Sequence, residues 1–220
     1  MVAKQKGKIY VIGVQSSRGE RVVFGRETHE KMKGLLEFEK LGKEIMEQQR
    51  KLEGKKESFK ETIDYDNAIY LGEAKDGKRH GLGITLYIDE SRYEGEHHND
   101  SPEGKGVFYH ENGNVYEGEF RLGKKHGKGI FKYANGHRYE GEFKGGKKHG
   151  RGVYFFGEGN RYEGGFKEDK KSGKGIYFFG SGDRFEGEFS HNKGRGTKFH
   201  AGGKSEEGVI EGGGYRPLAS

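Results

Sequence analysis

Tyr139-Glu140-Gly141-Glu142-Phe143-Lys144-Gly145-Gly146-Lys147-Lys148-His149-Gly150-Arg151-Gly152 decides the fold of this chain. Its first five residues return, whole or nearly so, at Tyr93, Tyr116, Tyr162 and Phe185, so successive starts lie 23 residues apart. Tyr70-Leu71-Gly72-Glu73-Ala74 is a weaker copy one period earlier. A fixed period of this length marks a stacked array in which each unit contacts its neighbours. Such arrays offer surfaces more often than catalytic pockets.

Within one period the text alternates as strands do, and turn chemistry separates the pieces. In the copy starting at Tyr116, Tyr116-Glu117-Gly118-Glu119-Phe120 and His126-Gly127-Lys128-Gly129-Ile130-Phe131-Lys132-Tyr133 are the strand pieces. Arg121-Leu122-Gly123-Lys124-Lys125 links them, and Ala134-Asn135-Gly136 leads into the next copy. Each repeat therefore reads as one β-hairpin.

Composition agrees with a thin β structure. Only 30% of the 220 residues are hydrophobic and 35% are charged, with a mean hydropathy of −1.06. Those values approach the disordered regime, but 13% aromatics and 42 glycines set at a regular period argue for order. The formal charge of +6 admits acidic partners and selects none. Absence of cysteine excludes disulfides and thiolate zinc sites, which suits a reducing compartment. With no signal-like or long apolar run, the chain is expected to be soluble and cytoplasmic.

The pattern Tyr-x-Gly-x-Phe-x-x-Gly-x-x-His-Gly-x-Gly at this period resembles the MORN repeat, and Tyr139 to Gly152 fits every position. The resemblance spans roughly two-thirds of the chain, residues 65–210, with starts near 70, 93, 116, 139, 162 and 185. It implies a mainly β fold: an elongated, single-layer antiparallel sheet of hairpins. Several copies depart from the pattern. Ala74 and His97 stand where Phe belongs, Glu90 takes the late Gly position, and Glu103 and Ser172 stand where His belongs. Pro102 falls in the expected turn of the second copy. Gly194-Arg195-Gly196 arrives two residues early, which reads as a shortened turn. Glu206 to Ile210 looks like a decayed seventh start, as capping repeats should. Residues 211–220 read as a loose tail.

A single layer must cover its aromatic rings within the sheet. A four-residue loop would set Phe120 opposite Gly127 and Gly118 opposite Gly129, each ring over a cross-strand glycine. That register also pairs Glu119 with Lys128 and Glu142 with Arg151. The glycines are then structural. Gly127-Lys128-Gly129 lies in a strand, where no phosphate loop sits, and Lys198 occupies the first-glycine position that Gly203-Lys204-Ser205 would need. His80, His126 and His149 hold one repeat position, and equivalent atoms of neighbouring repeats lie about 9–10 Å apart, too far to share an ion. His97-His98 reads as a surface pair. No cofactor, metal site, nucleophile motif or nucleic-acid motif is found, so no enzyme is expected.

Outside the array, residues 1–26 hold Ile9-Tyr10-Val11-Ile12 and Val22-Val23-Phe24, a hairpin or two edge strands. Residues 27–64 read as an α-helical segment, with Phe38, Leu41, Ile45, Leu52 and Phe59 forming half a coiled-coil seam. That seam either folds back on the chain's own sheet or docks on a partner.

Lys124-Lys125, Lys147-Lys148 and Lys170-Lys171 share one repeat position and are expected to form a basic row along the hairpin edge. The row either discourages unwanted pairing or meets an acidic partner or anionic lipid. The array aromatics Tyr116, Phe120, Tyr139, Phe143, Tyr162 and Phe166 are the expected partner face. Stand-alone MORN arrays resemble components of cilia and flagella such as the radial-spoke apparatus. The resemblance therefore implies a non-enzymatic scaffold of a cytoskeletal complex in a ciliary or flagellar axoneme. The alternative is a phospholipid-binding membrane adaptor, and the array also offers a surface for homodimer formation.

Overall fold

A computed structural model describes residues 10–15, 21–24, 61–65, 68–87 and 89–218. The chain forms two compact units, Met1–Asp100 and Ser101–Ser220. Every element among the described residues is a strand, and every pairing is antiparallel, in agreement with the mainly β reading. In the first unit β1 (Tyr10–Gln15) pairs with β2 (Arg21–Phe24), with Tyr10 opposite Phe24. A second sheet orders β3 (Glu61–Tyr65), β4 (Ala68–Lys75), β5 (Lys78–Tyr87) and β6 (Arg92–His98) in chain sequence. β3 takes the end of the segment expected to be helical. The seam positions Phe38 to Phe59 lie outside the described residues.

The second unit is an open sheet, again in chain order. It begins with β7 (Ser101–Tyr109), β8 (Val115–Arg121), β9 (Lys124–Lys132), β10 (Arg138–Lys144) and β11 (Lys147–Phe155). It continues with β12 (Arg161–Lys167), β13 (Lys170–Phe178), β14 (Arg184–Ser190), β15 (Lys193–Phe199), β16 (Ser205–Glu211) and β17 (Gly214–Pro217). The last strand replaces the loose tail. Ile210 is 2% exposed and fills the Phe position of the decayed seventh copy. Tyr215 stands opposite it and donates its hydroxyl to Glu206 O at 3.2 Å.

The hairpin turns are tighter than the four-residue loop. Leu122 and Gly123 have φ of 50° and 71°, Gly145 and Gly146 59° and 90°, and Glu168 and Asp169 51° and 69°. Two consecutive residues at positive φ make the two-residue type I′ turn, whose twist matches the strands. Pro102, too, lies in β7 rather than in a turn. The tight turn alters the strand register on both sides of it. Gly118 does pair with Gly129, but Phe120 faces Lys125, and the glycine opposite a Phe belongs to the previous hairpin: Gly127 faces Phe143. A bulge absorbs the difference. Between the pairs Gly141↔Gly152 and Phe143↔Lys148, Glu142 alone stands opposite His149, Gly150 and Arg151.

That bulge has a definite chemistry. Gly150 takes a φ of 62°, a left-handed conformation that glycine adopts without strain. The turned backbone aims the Arg151 N–H at Glu142 Oε1 (2.8 Å), and Lys128 N–H meets Glu119 Oε1 at 2.9 Å in the same way. The pairings expected between Glu and Lys or Arg side chains are thus carboxylate bonds to backbone N–H groups. In the sixth copy, the β14–β15 hairpin, the turn at His191 and Asn192 is intact, and it is the bulge that is gone. The two missing residues come from there.

Paired glycines supply the core. A Cβ on Gly152 would lie 2.5 Å from Tyr139 Oη and 2.6 Å from its ring, because Tyr139 lies flat over the Gly141↔Gly152 pair. Tyr116 and Tyr162 cover Gly129 and Gly175 alike. Rescue of bare backbone by a ring is therefore the work of the tyrosines. Tyr139 Oη then donates to Glu142 O at 3.0 Å, and Tyr116 Oη to Glu119 O at 2.9 Å. Phe143 stands edge-on between Tyr139 and Tyr116, at 5.1 and 4.9 Å, and Phe166 between Tyr162 and Tyr139, at 5.3 and 4.9 Å. One continuous herringbone of rings results.

His97 holds the Phe place in the first unit and is buried, contrary to its reading as a surface residue. Its ring packs edge-on against Tyr70 and Tyr93, each at 4.9 Å, and Nε2 shares a hydrogen bond with Thr85 Oγ1 at 2.9 Å. Burial, with the nearby Arg79 charge, pushes its pKa down to about 4. An unfolded chain protonates this imidazole near pH 6.5, whereas the folded chain resists until about pH 4. Stability from this group is therefore full above pH 6.5 and declines as pH falls toward 4. Thermal melts from pH 7.5 to 4 should show the His97→Phe variant losing less stability than wild type, and parallel curves would refute the assignment.

Candidate interaction surface

Because side chains alternate across a strand, the array has two faces of different chemistry. Tyr116, Phe120, Tyr139, Phe143, Tyr162 and Phe166 share one of them, but they are at most 5% exposed and have no surface left for a partner. The ring herringbone is the core of a single layer. It is not the contact face that the repeat pattern suggests.

A second row of rings shares that face. Phe131, Tyr133, Tyr154, Phe156, Tyr177 and Phe179 run one after another, with centroid distances of 4.6, 5.7, 4.5, 5.5 and 4.8 Å. Tyr133, Tyr154, Phe156 and Phe179 are half-buried, so ring surface remains available. Burial raises the Tyr133 and Tyr177 phenols and pushes Tyr154 up to about 12, which keeps them neutral donors at physiological pH. Sequence reasoning missed this row although its signal is present: Phe131, Tyr154 and Tyr177 recur at the array period, and each has a ring two residues on.

The paired lysines separate. They occupy strand positions rather than the turn, so successive lysines point to opposite faces. Lys124, Lys147 and Lys170 are exposed, and Lys147 Nζ meets Glu168 Oε2 at 2.8 Å. Lys125, Lys148 and Lys171 join the ring face instead. Lys148 stands opposite Phe143, and its Nζ lies 4.9 Å from the Tyr154 ring centroid and 5.7 Å from those of Tyr133 and Tyr139. It donates to Tyr133 Oη at 3.2 Å. Lys125 Nζ lies 4.4 Å from the Phe131 centroid, and Lys171 Nζ 4.7 Å from that of Phe156. Each alkyl stem covers ring surface while its ammonium rests among aromatic faces. Burial lowers the pKa of all three, that of Lys171 to about 8.

Of the carboxylates, Asp183 reaches the ring face to pair with Lys198 at 2.9 Å beside Phe179, and most of the rest lie elsewhere. On the opposite face Arg138 pairs with Glu140 at 2.9 Å and Arg161 with Glu163 at 2.6 Å. The guanidinium groups lie 4.4 Å over Phe155 and 3.8 Å over Phe178. Glu119 and Glu142 are held in their bulges. The turn carboxylate Asp169 accepts the Lys148 N–H at 2.9 Å. The opposite face also carries exposed lysines, Lys124, Lys128, Lys144, Lys170 and Lys174, whereas the ring face is aromatic, with Lys125, Lys148 and Lys171 seated among its rings. Among the described residues no group of His, Asp and Glu is placed to hold a metal ion.

Comparison with solved structures finds low likeness. The TCP domain of SAS-4 (dCPAP) of Drosophila melanogaster, in complex with a proline-rich motif of Ana2 (dSTIL), is 16% identical, with a TM-score of 0.40 over 70% of this chain and 93% of that one. The TCP10 domain of Danio rerio CPAP, with a peptide of STIL, is 10% identical, with a TM-score of 0.27 over 68% and 87%. Neither likeness bears on what this chain binds. Among curated proteins no sequence matches. The MORN repeat matches at residues 70–92, 93–115, 116–138, 139–161 and 162–184, five consecutive copies in the expected register. With more than half its length in these copies, the chain belongs to the MORN repeat family.

Proposed function

We propose that this chain is a structural adaptor that holds a partner protein on the ring face of its second unit. The carrying observation is the asymmetry between the faces: a continuous row of half-buried rings with three ammonium groups seated among them on one, and exposed charged side chains without such a row on the other. Membership of a repeat family whose members act as protein-interaction or membrane-binding modules supports the reading. The resemblance to stand-alone arrays of cilia and flagella supports a cytoskeletal, axonemal setting. Phe38, Leu41, Ile45, Leu52 and Phe59 supply a second docking element there. A phospholipid adaptor is the weaker reading, because the paired lysines do not form one edge row.

Affinity capture of the tagged full chain from a ciliated-cell lysate tests this, beside a Tyr154→Ala/Phe156→Ala variant and an Arg138→Ala/Glu140→Ala variant on the opposite face. Cytoskeletal proteins should be recovered by wild type and by the Arg138/Glu140 variant, and at least tenfold less by the ring variant. Equal recovery by all three would sink the face assignment. Sedimentation with phosphatidylserine vesicles without any cytoskeletal protein would favour the lipid reading instead.

A further inference from the structure

Lys125, Lys148 and Lys171 are equivalent residues of β9, β11 and β13. Two strand spacings of about 4.7–4.9 Å separate neighbours, so the ammonium groups recur at about 9.5 Å across the strands. None of the three forms an ion pair among the described residues; their surroundings are the rings described above, with the turn carboxylate Asp169 the one nearby negative charge felt by Lys125 and Lys148. From β8 to β15 the strand positions on this face alternate among aromatic residues, glycine and lysine, and the carboxylates that reach it come from turns: Asp183, paired with Lys198 at 2.9 Å, and Asp169. Half-buried cations in such surroundings gain from an anion brought by a partner. The step between them restricts what that partner can be. In an α-helix about 9.5 Å corresponds to just over six residues at 1.5 Å each, which returns to no common face at 3.6 residues per turn. In an extended strand three residues cover about 10 Å, but an odd step points to the opposite side. A polyproline II helix turns once every three residues and rises about 3.1 Å per residue, or about 9.3 Å per turn. It matches the step more closely than the seven-residue step of an α-helix, about 10.5 Å, while presenting the same side chain to each successive repeat, and aromatic-lined surfaces suit its proline rings.

We propose that the ring face of the second unit binds a polyproline II segment of a partner protein with an acidic residue at every third position. Each carboxylate meets one of Lys125, Lys148 and Lys171, and the intervening prolines lie on the second ring row. The inference rests on the reading of this face as the partner surface, and names the partner's chemistry.

Titration calorimetry of the full chain with synthetic peptides tests it, using five Pro-Pro-Glu triplets, five Pro-Pro-Gln triplets, and Pro-Pro-Pro-Glu quartets carrying the same number of glutamates. The triplet acid should bind at least tenfold tighter than either comparison peptide, and more weakly as salt rises. Lys148→Gln should weaken it several-fold, and the triple Lys125→Gln/Lys148→Gln/Lys171→Gln variant at least tenfold. The triple Lys124→Gln/Lys147→Gln/Lys170→Gln variant should bind as wild type does. Circular dichroism identifies any variant that fails to fold, and the single substitution then decides. Equal affinity for triplets and quartets, or equal loss with either lysine set, overturns the proposal. Should no peptide bind while the Tyr154→Ala/Phe156→Ala variant still loses its captured partner, the face reading stands and the polyproline class is wrong. Phosphatidylserine vesicles bound through Lys125, Lys148 and Lys171, with no peptide bound, would replace the protein segment by a membrane.

Discussion

Replacing Gly152 by alanine is expected to lower stability by about 3 kcal/mol or more, at the top of the range for overpacked sites or beyond it. One methyl group does this because of where it would sit. Its carbon would lie 2.5 Å from Tyr139 Oη and 2.6 Å from Cε2 and Cζ, distances no real Cβ contact tolerates. The ring cannot tip aside without losing Phe143 and Phe166, which stand edge-on against it. Among the described residues no second layer lies against the sheet to absorb the strain, so the ring leaves its site and exposes the glycine pair. Gly157→Ala is the control, since nothing lies within 4 Å of its Cβ position and its φ is not in the left-handed region. Thermal melting should show little change for Gly157→Ala and a large drop for Gly152→Ala. Hydrogen exchange should place the loss in β10, β11 and their neighbours, as expected where each unit contacts only the next. Equal, small effects would mean that the tyrosine does not hold the hairpin.

Tyr139→Ala should cost about 3–5 kcal/mol, the range for deleting a buried aromatic side chain. The residue is fully buried and lies against two phenylalanines. Tyr139→Phe keeps the ring and loses only the bond to Glu142 O, about 0.5–1.5 kcal/mol. The array has made this change once itself. Phe185 holds the tyrosine place and is fully buried, in the hairpin whose ladder runs unbroken from Gly187↔Gly196 to Ser190↔Lys193. Where there is no bulge, no hydroxyl is required at that place. Denaturant melts of the two variants should separate by at least about 1.5 kcal/mol. Indistinguishable curves would assign the tyrosine's contribution to its hydroxyl rather than its ring.

The strand content and the repeat register were legible from the text alone, because period-2 alternation within a 23-residue repeat admits few other folds. Gly118↔Gly129 followed from the same pattern. What escaped depended on two local features. Gly145-Gly146 could have been read as a two-residue type I′ turn, but Leu122 and Glu168 at positive φ are poor advertisements for one. Adopting a longer loop moved Lys125 and Lys148 out of the strands and placed both lysines of each pair at a tip. The bulge compounded this, since nothing in Glu142 or Gly150 taken singly shows that one residue will face three. His97 was misplaced for another reason. Its neighbour His98 is exposed, and only the repeat position shows that His97 stands in for a buried phenylalanine.

The site follows the same division. Tyr139 and Phe143 were conspicuous because the sheet needs them in every repeat, and that need is what hides them from a partner. Tyr154 and Phe156 vary more between copies and stay half-exposed, so they carry the surface chemistry.

The most direct measurement is site-specific photo-cross-linking with a benzoylphenylalanine at residue 154 or, in a second protein, at residue 153. The two positions are adjacent in β11 and point to opposite faces. In ciliated-cell lysate the protein carrying the probe at 154 should form covalent adducts with a discrete partner protein, and the one with the probe at 153 should not. Adducts formed from 153 alone, or equally from both, would contradict the claim that the ring-bearing face holds the partner.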